Sequence, residues 1–184
     1  MPFLNFSYAN PTKIIFGKGQ ISKLAKSVPK DKVIFMTYGG GSIKRNGVYD
    51  QVKTALADRK VVEFGGIEAN PDYETLCKAV QMVKEIGPEK VFLLPVGGGS
   101  VIDGSKFIAA ASVYDHSDNY WDILETGGKF IKSTIPLGTV LTLPAVFSTT
   151  CCFLFLRQAV KATMVVLSVG EERMYFFFFL SIHS

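Results

Sequence analysis

The 184-residue sequence has little cysteine, little histidine and no long apolar run, and each shortage excludes a class of protein. The three cysteines, Cys77, Cys151 and Cys152, have neither the spacing of a zinc site nor that of a disulfide framework. No apolar run reaches the roughly 18–20 residues that cross a bilayer, and the first residues lack the pattern of a signal peptide. We therefore expect a cytoplasmic protein without a membrane partner.

The sequence also has no large excess of either basic or acidic residues. Twenty Lys and Arg residues against 16 Asp and Glu residues give a net charge of +4. The basic residues are scattered among acids, which argues against nucleic acid as a partner. The hydrophobic content of 48% is typical of a globular protein, and the length suits one well-buried domain.

From residue 32 onward, short apolar segments alternate with helical patterns. Strands are predicted at 32–38, 61–64, 90–96 and within 134–143, and helices at 48–59, 73–86 and 101–114. Because the strands lack polar alternation, we expect an α/β fold whose parallel sheet is covered by helices on both faces. Upstream, residues 5–16 predict a hairpin or an edge strand pair, and residues 20–27 predict a short helix.

Two of the predicted strands are followed by the same four residues, which lead toward a helix. Glycine lets a ligand approach the backbone closely, and the free amides at the start of a helix bind anions. Three glycines can also form a simple tight turn, but two copies after apolar strands favour phosphate binding. The sequence therefore predicts a dinucleotide site without the G-x-G-x-x-G fingerprint, formed by Gly39, Gly40, Gly41 and Ser42 and by Gly97, Gly98, Gly99 and Ser100.

Asp103 follows the second of these loops and is expected in the first turn of the next helix. A carboxylate there stabilises the helix dipole, which is sufficient reason for its presence. It could equally face the ribose or nicotinamide end of a cofactor. Both interpretations stay open at this point.

Six segments resemble the iron-containing alcohol dehydrogenases, specifically the butanol dehydrogenase-like branch that reduces aldehydes with NADPH. They are PTKIIFGKG, TYGGGSIKRNGVYDQV, EFGGIEANPDYETL, VGGGSVIDGSKFIAAA, ETGGKFIKS and IPLGTVLTLPA. They run in order, and the resemblance extends over essentially all of residues 3–145. The resemblance implies the N-terminal, dinucleotide-binding domain of a dehydroquinate synthase-like fold, in an enzyme that transfers hydride between NADP(H) and a small alcohol or aldehyde. It also implies a homodimer for the full-length protein.

The resemblance further implies roles for single residues. The loop from Gly97 to Ser100 would hold the pyrophosphate, with Asp103 near the nicotinamide. Asn70 would line the adenosine site, and Thr142 would lie beside the cofactor. A carboxylate at the end of the strand before Gly39 would repel a 2′-phosphate, but this strand ends without one. Ser42, Lys44 and Arg45 lie just beyond the end of the strand. NADP is therefore the expected cofactor.

After Ala145 the sequence departs from the family, which continues with a T-G-S-E segment and later places one aspartate and three histidines on a metal. Here only His116 and His183 occur, and His116 is expected on the surface of the cofactor domain. We expect no iron or zinc site and no catalytic residue in this chain, the helical metal-binding domain being missing. We interpret residues 1–145 as the NADP-binding domain and 146–184 as an aberrant apolar tail, frameshifted or unspliced.

A frameshift is the favoured explanation of this tail, because the sequence is compatible with a shifted reading of the family's continuation. From Arg157 onward, codons shifted by two bases permit T-G-S-E-S-N and then x-G-x-V-I-S-R, as in the resembled branch. Three functions stay open: an NADP-dependent alcohol dehydrogenase of which this is the N-terminal half, a non-catalytic NADP-binding module, and a related glycerol dehydrogenase-like enzyme. The segments TYGGGS and EFGGIEANP argue against the third.

Overall fold

Six strands lie side by side in one sheet in the computed structural model, which describes residues 13–142 and 166–168. The order across the sheet is β1-β6-β5-β4-β2-β3, and every neighbouring pair is parallel. This confirms the predicted parallel sheet. The strands are β1 (Ile14–Phe16), β2 (Val33–Thr37), β3 (Val61–Phe64), β4 (Val91–Gly97), β5 (Thr139–Leu141) and β6 (Val166–Ser168).

Helices connect the strands. Two short 3-10 turns accompany them, at Gln20–Lys23 and Pro88–Lys90. No helix in the described part of the chain is long and apolar enough to cross a membrane. The helices are α1 (Leu24–Ser27), α2 (Ser42–Arg45), α3 (Val48–Ala55), α4 (Tyr73–Ile86), α5 (Gly99–Ala111) and α6 (Asp122–Glu125).

Strand β4 shows why these segments form a covered sheet, since all seven of its residues are buried. Side chains alternate across a strand. Val91 and Leu93 pack into a core with residues of α4 and α5, whereas Phe92 and Leu94 pack on the opposite face with residues of α1 and α3. A strand buried on both faces needs no polar positions, which explains the apolar run in the sequence.

Several element bounds differ from the sequence-based expectations, while β3 and α4 match theirs. Helix α5 begins two residues earlier than expected, at Gly99, and ends at Ala111. Helix α3 ends at Ala55 because residues 56–59 form a tight turn, in which the Arg59 amide donates to the Leu56 carbonyl. Helix α2 was not predicted.

The predicted hairpin over residues 5–16 lies mostly outside the described residues. Its described part, β1, pairs in parallel with β6, Ile14 opposite Val166. Strand β6 also pairs with β5, Thr139 opposite Val166, and therefore lies inside the sheet. It belongs to the segment interpreted as an aberrant tail; the rest of 146–184 lies outside the described residues, and the boundary at residue 145 stays a prediction.

Candidate dinucleotide-binding site

The two glycine loops leave the sheet at neighbouring positions, because β2 and β4 are adjacent and parallel, with Thr37 opposite Pro95. From β2 the chain runs to β3 on one side, and from β4 it runs to β5 on the other. The strand order therefore reverses between β2 and β4. In open α/β sheets this switch point forms a crevice at the carboxyl ends of the strands, where ligands bind.

Val101, in the first turn of α5, lies against the first glycine of each loop. A methyl group built on Gly97 would lie 2.9 Å from Val101 Cγ2, and one built on Gly39 would lie 3.5 Å from the same atom. The Gly39 methyl would also lie 3.0 Å from the Ile67 carbonyl oxygen. Close packing therefore favours glycine at both positions independently of any ligand, against α5 at Gly97 and against the Ile67 carbonyl at Gly39.

Backbone hydrogen bonds tie the neighbouring strand ends to these glycines. The Gly66 amide donates to the Gly39 carbonyl at 3.3 Å, and the Ile67 amide donates to the Tyr38 carbonyl at 3.2 Å. On the other side, the Thr142 amide donates to the Gly97 carbonyl at 3.0 Å. The structure therefore places Thr142, both glycine loops and the loop after β3 along one edge of the sheet.

The outer part of the first loop faces open space. Methyl groups built on Gly40 and Gly41 would meet no atom within 4 Å, and Gly41 has a left-handed φ of 97° that favours glycine. Ser42 is exposed and begins α2. In the second loop, Gly98 precedes the 13-residue helix α5 in extended conformation. An open glycine surface beside a helix start is the cradle that a pyrophosphate requires, so the described residues fit a dinucleotide.

Asp103 lies in the second turn of α5 and not, as expected, in the first, because the helix begins at Gly99. The helix dipole acts mainly on the first turn, which weakens the interpretation of Asp103 as a dipole-stabilising residue alone. Its Oδ1 atom is buried and has no hydrogen-bond partner among the described residues. Burial raises the pKa of the carboxyl to about 6, an effect that Lys106 partly opposes. A half-buried carboxylate with an unused acceptor suits a ligand that brings a donor.

Asn70 lies in the loop between β3 and α4, two residues before Asp72, whose side chain caps α4 by accepting from the Glu74 amide at 2.8 Å. Asn70 is exposed and has a left-handed φ of 57°. Asparagine adopts this conformation more readily than most residues, so a turn alone accounts for its presence. Its place at the adenosine end of a cofactor stays a prediction.

A charged cluster lies beside the first loop and centres on Glu63 of β3. Lys53 Nζ donates to Glu63 Oε1 at 2.7 Å, and the Tyr49 hydroxyl donates to both carboxylate oxygens at 3.0–3.1 Å. Burial alone would raise the pKa of Glu63, but the hydrogen bonds from Lys53 and Tyr49 outweigh it and lower that pKa. The Lys44 ammonium lies 5.1 Å from the ring centres of both Tyr38 and Tyr49. The one carboxylate of this cluster is thus neutralised by its neighbours.

Sequence reasoning missed two features of the site: the role of Val101 and a buried hydroxyl pair, Thr37 and Ser105, beneath the loops. The available signal was the alternation of β2, which puts Thr37 on the same face as the core residue Phe35. A hydroxyl on a buried face needs a hydrogen-bond partner from the element that covers it. That element is α5, which carries Ser105.

Metal-ligating side chains do not cluster in the part of the chain that the structure describes, where no group of three or more His, Cys, Asp or Glu residues could hold an ion. His116 is exposed, and its ring stacks on Phe130 with centroids 3.9 Å apart. His183 lies outside the described residues. The described residues therefore do not fit an iron or zinc site, and the absence of one from the whole chain stays a prediction.

Comparison with known proteins points to one family. The profile of the iron-containing alcohol dehydrogenases matches residues 11–169. The chain is 58% identical over 142 residues to the NADPH-dependent aldehyde reductase YqhD of Escherichia coli, a match that covers 77% of this chain and 36% of that protein. It is 49% identical over 144 residues to the probable NADH-dependent butanol dehydrogenase 1 of Bacillus subtilis, with the same coverage of 77% and 36%.

A solved structure gives the same result for the fold. The substrate- and cofactor-free form of the E. coli aldehyde reductase YqhD superposes with a TM-score of 0.77 and 50% sequence identity. The superposition covers 90% of this chain and 44% of that one. The chain thus spans little more than a third of the length of the curated relatives that it matches.

Proposed function

The chain belongs to the iron-containing alcohol dehydrogenase family, and from this premise we propose that its described domain binds NADP(H). One observation carries the proposal: both Gly-Gly-Gly-Ser loops lie at the switch point of the parallel sheet, after the adjacent strands β2 and β4. Two phosphate-binding loops side by side suit a dinucleotide, whose two nucleotide halves share a pyrophosphate.

In this arrangement the loop from Gly97 to Ser100 and the first amides of α5 bind the pyrophosphate. The positive end of the α5 dipole supports the phosphate charge there. Asp103, one turn further along α5, has an Oδ1 atom with no hydrogen-bond partner among the described residues, and it offers this atom to a donor on the nicotinamide half. Thr142, whose amide donates to the Gly97 carbonyl, is assigned to the same half, and Asn70 is assigned to the adenosine half.

The same geometry supports NADP over NAD. Gly40 and Gly41 leave room for a 2′-phosphate, and Ser42 supplies a hydroxyl and an amide at the start of α2. Glu63, which could repel the phosphate, is paired with Lys53, and Lys44 and Arg45 add positive charge. The relatives named above include one NADPH-dependent and one NADH-dependent protein, so family membership alone does not decide the cofactor.

For the complete enzyme we propose hydride transfer between NADP(H) and a small alcohol or aldehyde, in a cytoplasmic homodimer. The reaction classes named for the relatives support the substrate class. Because the described residues supply no donor set for the family's metal, we derive no metal-dependent step from them. This chain's own residues hold and orient the nucleotide.

The proposal is tested by titrating the purified 184-residue chain with NADPH and with NADH, following cofactor fluorescence. We expect NADPH to bind more tightly. The matched variant Ser42→Asp places a carboxylate beside the 2′-phosphate and should weaken NADPH binding while leaving NADH binding largely unchanged. Equal or tighter binding of NADH by the unmodified chain would overturn the NADP assignment, and binding of neither cofactor would overturn the proposed function.

A further inference from the structure

A buried pair of hydroxyls joins the sheet to α5 directly beneath the two glycine loops. Thr37 is the last residue of β2, two positions before Gly39, and Ser105 lies in the second turn of α5. Both residues are fully buried, each with 0% of its surface exposed, and their hydroxyl oxygens lie 2.6 Å apart. A direct bond of this kind fixes the distance between strand and helix.

The direction of the bond follows from the single proton of each hydroxyl. Ser105 Oγ donates to the Val101 carbonyl oxygen at 2.7 Å, one turn back along α5. Its proton is thereby used, so Thr37 Oγ1 donates to Ser105 Oγ. The result is a continuous chain from Thr37 through Ser105 to Val101, in which each bond polarises the next.

This series of hydrogen bonds ends at Val101, the residue that separates the two loops. Val101 is the residue whose side chain would lie 3.5 Å from a methyl group on Gly39 and 2.9 Å from one on Gly97. A shift of α5 relative to β2 would therefore move Val101 and change the spacing of both loops together. Apolar contacts alone would let the helix slide, because they have little directional preference.

We infer that Thr37 and Ser105 are positioning residues for dinucleotide binding: their hydrogen-bonded hydroxyls hold both glycine loops at the separation that one cofactor spans. The inference rests on the proposed function, which names the cofactor. Neither side chain reaches the ligand itself, since both are buried below the loops. Their effect on binding passes through Val101 and the loop backbones.

The chain offers matched controls for both hydroxyls. Ser112 is buried at the far end of α5, and Thr139 is buried in β5. Their hydroxyl oxygens have no hydrogen-bond partner among the described residues. Ser112→Ala and Thr139→Val thus make the same chemical changes as Ser105→Ala and Thr37→Val without breaking a link between strand and helix.

The test measures two properties of the full chain for each variant: the Kd for NADPH, and amide hydrogen exchange of the two loops without cofactor. We expect Thr37→Val and Ser105→Ala each to weaken NADPH binding by roughly threefold to tenfold, the effect of one neutral buried hydrogen bond. Exchange at 40–42 and 98–101 should accelerate in both. Thr37→Ser, which keeps the hydroxyl, should restore binding and exchange, and the double variant should match the single ones.

The control variants should stay within about twofold of the unmodified chain in NADPH affinity, since that corresponds to less than one hydrogen bond. A lowered melting temperature with unchanged Kd and unchanged loop exchange would show a merely structural pair and overturn the inference. If Thr37→Val does not fold, Ser105→Ala and Thr37→Ser decide the question by the same two measurements. Failure of the unmodified chain to bind NADPH would instead overturn the proposed function, and the exchange data would still show whether the pair holds the loops.

Discussion

A methyl group added at Gly40 should weaken ligand binding without destabilising the fold. A methyl built there meets no atom within 4 Å, and Gly40 does not have a left-handed φ. Alanine therefore fits the unliganded fold and, by restricting the unfolded chain, should stabilise it by about 0.4–1 kcal/mol. If the first loop contacts the cofactor through its backbone, the same methyl stands in the ligand's path. We expect NADPH affinity to fall about tenfold or more, which corresponds to at least ~1.4 kcal/mol.

Gly97→Ala is the contrasting variant. Its methyl would lie 2.9 Å from Val101 Cγ2 and 3.1 Å from Val101 Cβ, well inside normal contact distance. Because Gly97 is the buried last residue of β4 and Val101 lies in the first turn of α5, neither residue can move freely. Overpacking of this kind costs about 1–3 kcal/mol of folding free energy. This variant should lower both the stability in urea unfolding and the affinity for NADPH.

The assay is urea unfolding and NADPH titration of both variants beside the unmodified chain. Gly40→Ala should be at least as stable as the unmodified chain, whereas Gly97→Ala should be less stable. Both variants should bind NADPH more weakly. Gly40→Ala binding NADPH as tightly as the unmodified chain would refute the placement of the cofactor on the first loop.

Three further predictions concern other parts of the chain. Burial in the folded state raises the pKa of Asp103 from 3.8 to about 6, so the folded chain binds this proton more tightly than the unfolded chain, and stability should fall as pH rises through that window. Asp103→Asn should reduce the fall in melting temperature between about pH 4 and 6, and an unchanged pH profile would contradict this prediction. Ending the chain after Ala145 removes β6, which pairs with β1 and β5, and should lower the melting temperature; a gain in stability would support a foreign tail after residue 145. The 184-residue chain should not reduce butanal with NADPH, even with added Fe²⁺ or Zn²⁺, because loss of a polarising metal removes several kcal/mol of transition-state stabilisation; turnover abolished by a chelator would reveal a metal site.

The sheet could be predicted from the sequence because its strands are buried on both faces. Such strands are continuous apolar segments, which differ from the helical spacing of apolar residues in the segments between them. Strand β3 and helix α4 were predicted with the bounds that the structure has, since Asp72 caps α4 at its start and Gly87 follows its end. The position of both glycine loops at one sheet edge followed from the parallel topology.

Features that depend on tertiary contact could not be predicted in the same way. Helix α2 has only four residues, too few for a period. The start of α5 at Gly99 was missed because glycine is a weak helix former, and it changed the interpretation of Asp103. The link between Thr37 and Ser105 joins residues 68 positions apart, a pairing that no local pattern encodes.

We propose that the two glycine loops together bind one NADP(H) molecule. The most direct measurement is the amide NMR spectrum of the 15N-labelled chain as NADPH is added. We expect shift changes at Gly39–Ser42, at Gly97–Ser100 and at Thr142, with the same midpoint for all three. Helix α3, on the opposite side of β2 from α5, should change little. Shifts confined to one loop, or absent from both, would contradict the claim.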